Sequence, residues 1–182
     1  MSAWCKKEGY PVTHLYTSHY ISNLVKFGAL SREADGSLKL STPTPDDAPM
    51  PNFAVEQTGG WVLAAFNNPD KYIGESAISP GGAALTIGAD IDACSEVITV
   101  KKWAEIISQA TGKPCTTLGI GMDEFMNDKD KYQQVPELYL NYKAFADGKV
   151  GRDVEASKAI YPDQWDTKAW IAQSDEFKKL VA

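Results

Sequence analysis

The chain has 182 residues, of which 43% are hydrophobic and 23% charged, with a net charge of −6. That composition excludes disordered and fibrous classes, and an acidic balance without clustered Lys or Arg excludes a nucleic-acid binder. No apolar run approaches the roughly 20 residues of a membrane-spanning helix, and the N-terminus lacks a charged-then-apolar signal pattern. Cys5, Cys94 and Cys115 are odd in number and far apart. With no Cys-x-x-Cys among them, the expectation is reduced thiols in the cytoplasm.

Residues 1–8 read as a short helix stopped by Gly9, and residues 11–16 are rich in β-formers and read as a strand. Thr17, Ser18 and His19 read as a turn, after which Tyr20, Ile21, Leu24, Val25 and Phe27 recur at helical spacing. This helix, strand, turn, helix order predicts an α/β fold with a parallel sheet. Asp35-Gly36 signals a tight turn, and the four prolines within residues 41–51 predict an exposed loop. Trp61, Val62, Ala65 and Phe66 form one apolar helical face, broken before Pro69. Ser79-Pro80-Gly81-Gly82 reads as a turn.

Residues 91–97 alternate as a half-buried strand. Thr99 caps the clearest helix, in which Trp103, Ile106, Ile107 and Ala110 fall at i, i+3, i+4 and i+7 before Gly112. Residues 114–118 read as a strand, and residues 123–146 as a helix interrupted near Pro136. Two last helices follow at 153–161 and 166–181. The aromatic residues Trp61, Trp103, Trp165 and Trp170 read as packing residues.

A dinucleotide fingerprint needs Gly-x-Gly-x-x-Gly between strand and helix. Gly119-Ile120-Gly121 is the nearest match, but Glu124 stands where the third Gly belongs, and no P-loop is present. Tyr139 and Lys143 have the Tyr-x-x-x-Lys spacing of short-chain dehydrogenases. Nothing cofactor-like precedes them, so a chance pair one helical turn apart is the preferred reading. His14 and His19 lack the spacing of metal ligands, and no metal site is expected. His14 reads as a strand residue. His19 and Tyr20 follow a strand, where open α/β sheets place ligands.

Residues 9–24 resemble a segment of the NmrA-like family, atypical short-chain dehydrogenases related to isoflavone reductases. Thr13, Leu15, Tyr20, Asn23 and Leu24 match that family's strand and following loop, while Thr17 and Ser18 stand where the loop has Pro-Gly. Further landmarks follow in order: Val55-Glu56-Gln57-Thr58-Gly59, residues 68–74, residues 95–99, Thr111-Gly112-Lys113, and residues 165–170. The resemblance implies the C-terminal part of a Rossmann-like NAD(P)-binding fold, with short parallel strands and a helix-rich substrate-binding region in one partial domain, 1–182. It places Thr17, Ser18, His19, Tyr20 and Asn23 at the cofactor and substrate pocket.

The family's Gly-rich loop and reductase Lys would precede residue 1. The expectation is therefore a truncated architecture, roughly the last three-fifths of ~300 residues. The resemblance implies NADP or NAD as cofactor, not bound by this chain alone. The chain would be the substrate-side portion of an oxidoreductase acting on a small molecule. The alternative is a non-catalytic regulatory module with a protein partner, or one that self-associates through uncovered sheet surface.

Overall fold

The computed structural model describes residues 2–8, 12–72, 89–127 and 136–182. Gly9, Pro11, the 79–82 turn and the landmark end at Ile73-Gly74 lie outside the described residues. Among those described, the chain order is α1 (Ser2–Glu8), β1 (Leu15–Thr17), β2 (His19–Tyr20), α2 (Asn23–Lys26), β3 (Leu30–Arg32), β4 (Leu38–Leu40) and β5 (Met50–Phe53). Then come α3 (Thr58–Asn67), α4 (Pro69–Tyr72), β6 (Ile91–Ala93), β7 (Glu96–Ile98), α5 (Val100–Thr111) and β8 (Cys115–Thr117). The helix-rich end comprises α6 (Met122–Asn127), α7 (Pro136–Ala146), α8 (Val154–Ile160), α9 (Thr167–Gln173) and α10 (Asp175–Val181). No helix among the described residues is long and apolar enough to cross a membrane.

The strands of the described residues form three small sheets. In one, β1 pairs with β6 in parallel, Leu15 opposite Ile91 and Thr17 opposite Ala93. In the second, β5 lies between β2, parallel to it, and β7, antiparallel. The third joins β3 and β4 as an antiparallel hairpin, with β8 parallel to β4. The hairpin turn at Asp35-Gly36 is as expected: Gly36 takes φ +84°, and Asp35 accepts from the Ser37 amide and hydroxyl.

The expected turn at Thr17–His19 is instead a crossing from the first sheet to the second. Thr17 ends β1, Ser18 breaks the strand, and His19 and Tyr20 pair with Asn52 and Phe53. Only Asn23–Lys26 becomes helix, so Tyr20 is a strand residue. The continuous strand expected over 91–97 breaks in the same way, at Cys94 and Ser95. The break shifts the alternation, so Val97 is exposed while Cys94 and Ile98 are buried. His14 sits just ahead of β1 rather than within it, and its Nδ1 lies 2.9 Å from Asp90 Oδ1.

The proline-rich segment is not an exposed loop. Thr42, Thr44, Pro45, Ala48, Met50 and Pro51 are all buried. Asp46 ties it down from both sides: its amide donates to the Ile120 carbonyl, and its carbonyl accepts from the Lys101 amide. Pro51 is tolerated within β5 because β2 pairs only with Asn52 and Phe53, leaving no partner on that side for the missing N–H.

Helix α5 follows its sequence signals closely. Thr99 Oγ1 accepts from the Lys102 amide, Gly112 closes the helix at φ +67°, and Trp103, Ile106 and Ile107 are buried, although Ala110 is exposed. The larger core gathers around them, with Leu24, Leu38, Leu40, Met50, Trp170 and Phe177. A smaller core holds Phe53, Trp61, Ala65, Tyr72, Ile91 and Ala93. Met50 and Phe53 enter different cores because strand side chains alternate between faces. The face expected on α3 divides: Trp61 and Ala65 are buried, but Val62 and Phe66 are exposed. The single helix expected over 166–181 is two, because Ser174 caps a new one, accepting from the Phe177 amide.

Candidate functional site

The site grows from the two crossings. β1 and β6 are parallel neighbours, so Ser18 and Cys94 leave the first sheet at the same level, at the carboxyl ends of both strands. Open α/β sheets bind ligands at such ends. Above Ser18 lies a cleft of about 520 Å³. Thr17, Ser18, His19 and Asn23 line it, joined by Leu24, Phe27, Ala29 and Thr42. Its other wall is α7, which contributes Leu138, Asn141, Tyr142 and Phe145.

Four of the five residues expected at the pocket therefore meet in one cleft. Tyr20 does not line it. Adjacent strand residues face opposite ways, so His19 stacks toward Trp103 at 5.4 Å between ring centroids, while Tyr20 packs edge-on against Phe53 at 5.2 Å. Thr42 and the α7 stripe were missed from sequence. Thr42 hid in the proline-rich segment, and the stripe was visible only as helical spacing (i, i+3, i+4, i+7) with no partner named.

Burial lowers His19 to a pKa of about 4, with Asn52 beside it working more weakly the other way. At neutral pH its ring is uncharged and a poor base. Burial also pushes the Tyr142 and Cys94 protons toward retention. Ser18 Oγ, His19 Nδ1 and Thr42 Oγ1 are buried without a hydrogen-bond partner. The cleft is thus equipped to bind and orient through neutral hydrogen-bonding groups, not to transfer protons through a charged one.

Beneath it, a polar network fixes the crossings. Glu96 Oε1 accepts from Asn52 Nδ2 at 3.2 Å, from the Thr167 amide at 2.9 Å and from the Thr167 hydroxyl. Thr167 Oγ1 accepts in turn from Trp103 Nε1 at 3.0 Å. Burial raises the Glu96 carboxyl above its ordinary pKa, and the Thr167 and Asn52 hydrogen bonds oppose that rise. Ser157 Oγ accepts from Trp61 Nε1 at 3.0 Å and from the Cys94 amide at 3.1 Å. Gln57 clamps the segment before α9, donating to the Tyr161 hydroxyl and the Asp163 carbonyl and accepting from the Trp165 amide.

Lys143 is spoken for: its ammonium lies 2.9 and 3.0 Å from the Asp147 carboxylate oxygens. Tyr139, one turn earlier, packs on the Phe125 ring. The Lys143 ammonium is thus engaged by Asp147, one turn further on.

The Gly119-Ile120-Gly121 segment does lie between a strand, β8, and a helix, α6. However, α6 carries Asp123 and Glu124 in its first turn. The neighbouring hollow adds Asp46, Asp47 and Glu105 beside Lys101. Carboxylates at a helix N-terminus repel an anion there, so these residues do not fit a dinucleotide pyrophosphate.

The NmrA-like family model matches residues 3–171. The chain belongs to the NmrA-like family. Among solved structures, it is similar to NmrA, a negative transcriptional regulator, in a complex with NADP: 16% identity, TM-score 0.68, covering 98% of this chain and 56% of that one. The NmrA complex with NAD gives 16% identity and TM-score 0.69 over the same shares, 98% and 56%. A nucleoside-diphosphate-sugar epimerase from Staphylococcus aureus matches at 19% identity and TM-score 0.62, over 94% of this chain and 56% of that one. These likenesses establish the NmrA-type Rossmann-like fold. The chain spans 56% of the length of the structures it matches.

Proposed function

We propose that this chain is the substrate-side portion of an NmrA-like NAD(P)-binding oxidoreductase and that the cleft over Ser18 receives the small molecule. The observation that carries this reading is the convergence of Thr17, Ser18, His19 and Asn23 at the carboxyl end of a parallel strand, under α7. NADP or NAD is the implied cofactor, since the NmrA structures were solved with those dinucleotides. The chain does not hold a dinucleotide by itself, because its Gly-x-Gly segment opens on Asp123 and Glu124. Titration calorimetry of the 182-residue chain with NADPH tests this. No binding heat is expected, and micromolar affinity would overturn it. With its three thiols unpaired, we assign the chain to the cytoplasm.

A second reading, a non-catalytic module that binds a protein partner or itself, is favoured by one surface. Val62, Leu63 and Phe66 on α3 are 40%, 60% and 67% exposed. Val62 and Phe66 share a groove with Leu15 of β1, a strand with no second strand neighbour among the described residues. Sedimentation velocity of Phe66→Glu against the parent chain tests it. Self-association lost in the variant, together with no turnover of carbonyl compounds, supports this reading. A parent chain that is monomeric at all concentrations counts against it.

A further inference from the structure

The chemistry of the cleft lining narrows what it can hold. Every described side chain that lines it is uncharged. Arg152 lies beside this region without lining the cleft: it donates to the Thr17 and Gly151 carbonyls, sits over the Tyr16 ring and has its Nε 3.4 Å from Asp92. The Lys143 ammonium is held by Asp147. Ser18 is 8% exposed and Thr42 4%, yet neither hydroxyl has a partner. Leaving two hydroxyls buried and unpaired carries a free-energy cost that a ligand's polar group would relieve.

Facing them, Leu138, Tyr142 and Phe145 turn an apolar stripe inward, although no residue of α7 is fully buried. An amphipathic helix whose apolar stripe meets open space is half of a binding wall. The volume lies within the range of small-molecule sites, roughly 300–1,000 Å³.

We propose that the cleft takes an uncharged, largely apolar small molecule that presents a carbonyl or hydroxyl group to Ser18 and Thr42 and lays its body against the Leu138–Phe145 stripe. This rests on the reading of the cleft as the small-molecule site and adds the ligand class. A nucleoside-diphosphate sugar fits the described lining less well, because its phosphates would meet no cation among those residues. The neutral His19 ring and the protonated Tyr142 phenol agree with an uncharged ligand.

Two fluorescent probes of similar ring system test the proposal on the full chain. One is 6-propionyl-2-(dimethylamino)naphthalene, which is neutral and carries a ketone; the other is the anion 1-anilinonaphthalene-8-sulfonate. The neutral ketone is expected to saturate a single site with a blue-shifted emission, and the sulfonate to bind about tenfold more weakly or worse. Leu138→Asp should weaken the ketone about tenfold or more, and Ser18→Ala with Thr42→Val should weaken it several-fold. Glu155→Gln should leave it unchanged, because Glu155 is an exposed residue of α8 that does not line the cleft. Far-UV circular dichroism and thermal midpoints confirm that each variant is folded; Leu138 is a surface position, so its substitution spares the core.

If the sulfonate binds as tightly as the ketone and Leu138→Asp abolishes both, the ligand class is wrong while the cleft stands. Ketone binding indifferent to Leu138→Asp and to the Ser18/Thr42 pair, or no binding of either probe, overturns both the ligand class and the cleft.

Discussion

Trp61 on α3 and Ser157 on α8 are joined by a buried hydrogen bond of 3.0 Å, indole Nε1 to hydroxyl Oγ, across 96 residues of sequence. The same oxygen accepts from the Cys94 amide, at the point where the chain leaves the first sheet. One hydroxyl thus ties the helix-rich C-terminal end to both the smaller core and the crossing beneath the cleft. Ser157→Ala would leave two buried donors without a partner, at a cost of about 2–4 kcal/mol. In urea titrations that cost should shrink in a Trp61→Phe background, where one donor is already gone. Equal costs in the two backgrounds would show that the indole bond is not coupled to the hydroxyl.

Gly60 is a packing requirement. A Cβ built there would sit 2.5 Å from the Tyr161 ring, which is itself held by the Gln57 amide. Gly60→Ala should therefore destabilise by about 1–3 kcal/mol despite adding a better helix former. Tyr161→Leu, by removing the ring, should abolish most of that penalty. A neutral or stabilising Gly60→Ala in thermal melts would contradict the contact.

What could be read from the sequence followed from how many local signals agreed. At α5, the Thr99 cap, the spacing of Trp103, Ile106 and Ile107, and Gly112 all pointed to one helix, and the structure has it. At the site, Ser18 and His19 were legible because they follow a strand. Tyr20 was assigned to the same pocket on the same ground, but it pairs with Phe53 as a strand residue and so faces the opposite way from His19, an alternation that a two-residue strand does not announce in sequence. The break at Cys94 was hidden for the opposite reason. Residues 91–97 alternate without fault, but a change of sheet depends on tertiary pairing with Asn52 and Met50, which no local window contains. Thr42 was lost to composition, since prolines and aspartates suggest an exposed loop while the backbone of Asp46 anchors that segment to Lys101 and Ile120.

Glu96 holds its place as a hydrogen-bond acceptor. Its Oε1 receives Asn52, the Thr167 amide and the Thr167 hydroxyl, while burial raises its carboxyl pKa. Glu96→Gln keeps an oxygen in that position and relieves the buried charge, so it should cost less than about 1 kcal/mol at pH 7. Glu96→Ala strands those donors and should cost about 3 kcal/mol or more. Equilibrium denaturation of the two variants separates the roles, and similar losses would mean that the charge itself matters.

His19 supplies a pH dependence of defined sign. Its folded pKa is about 4, against an ordinary 6.5, because burial beside Trp103 disfavours the imidazolium. Above pH 6.5 the ring is neutral in both folded and unfolded chains, and its full contribution to stability is present. As pH falls below 6.5 the unfolded chain takes up the proton first, so stability declines until the folded ring titrates near 4. The gap corresponds to about 3 kcal/mol over that interval. Glu96, with its raised carboxyl, acts in the opposite direction, so the His19 contribution is read as the difference between the parent chain and His19→Gln, in which Glu96 cancels. Denaturation midpoints at pH 7.5, 5.5 and 4.5 should converge or cross as pH falls, the parent losing stability faster than the variant. Parallel curves through that window would mean that the ring titrates at its ordinary value and that the base of the cleft is wetter than its packing against Trp103 requires.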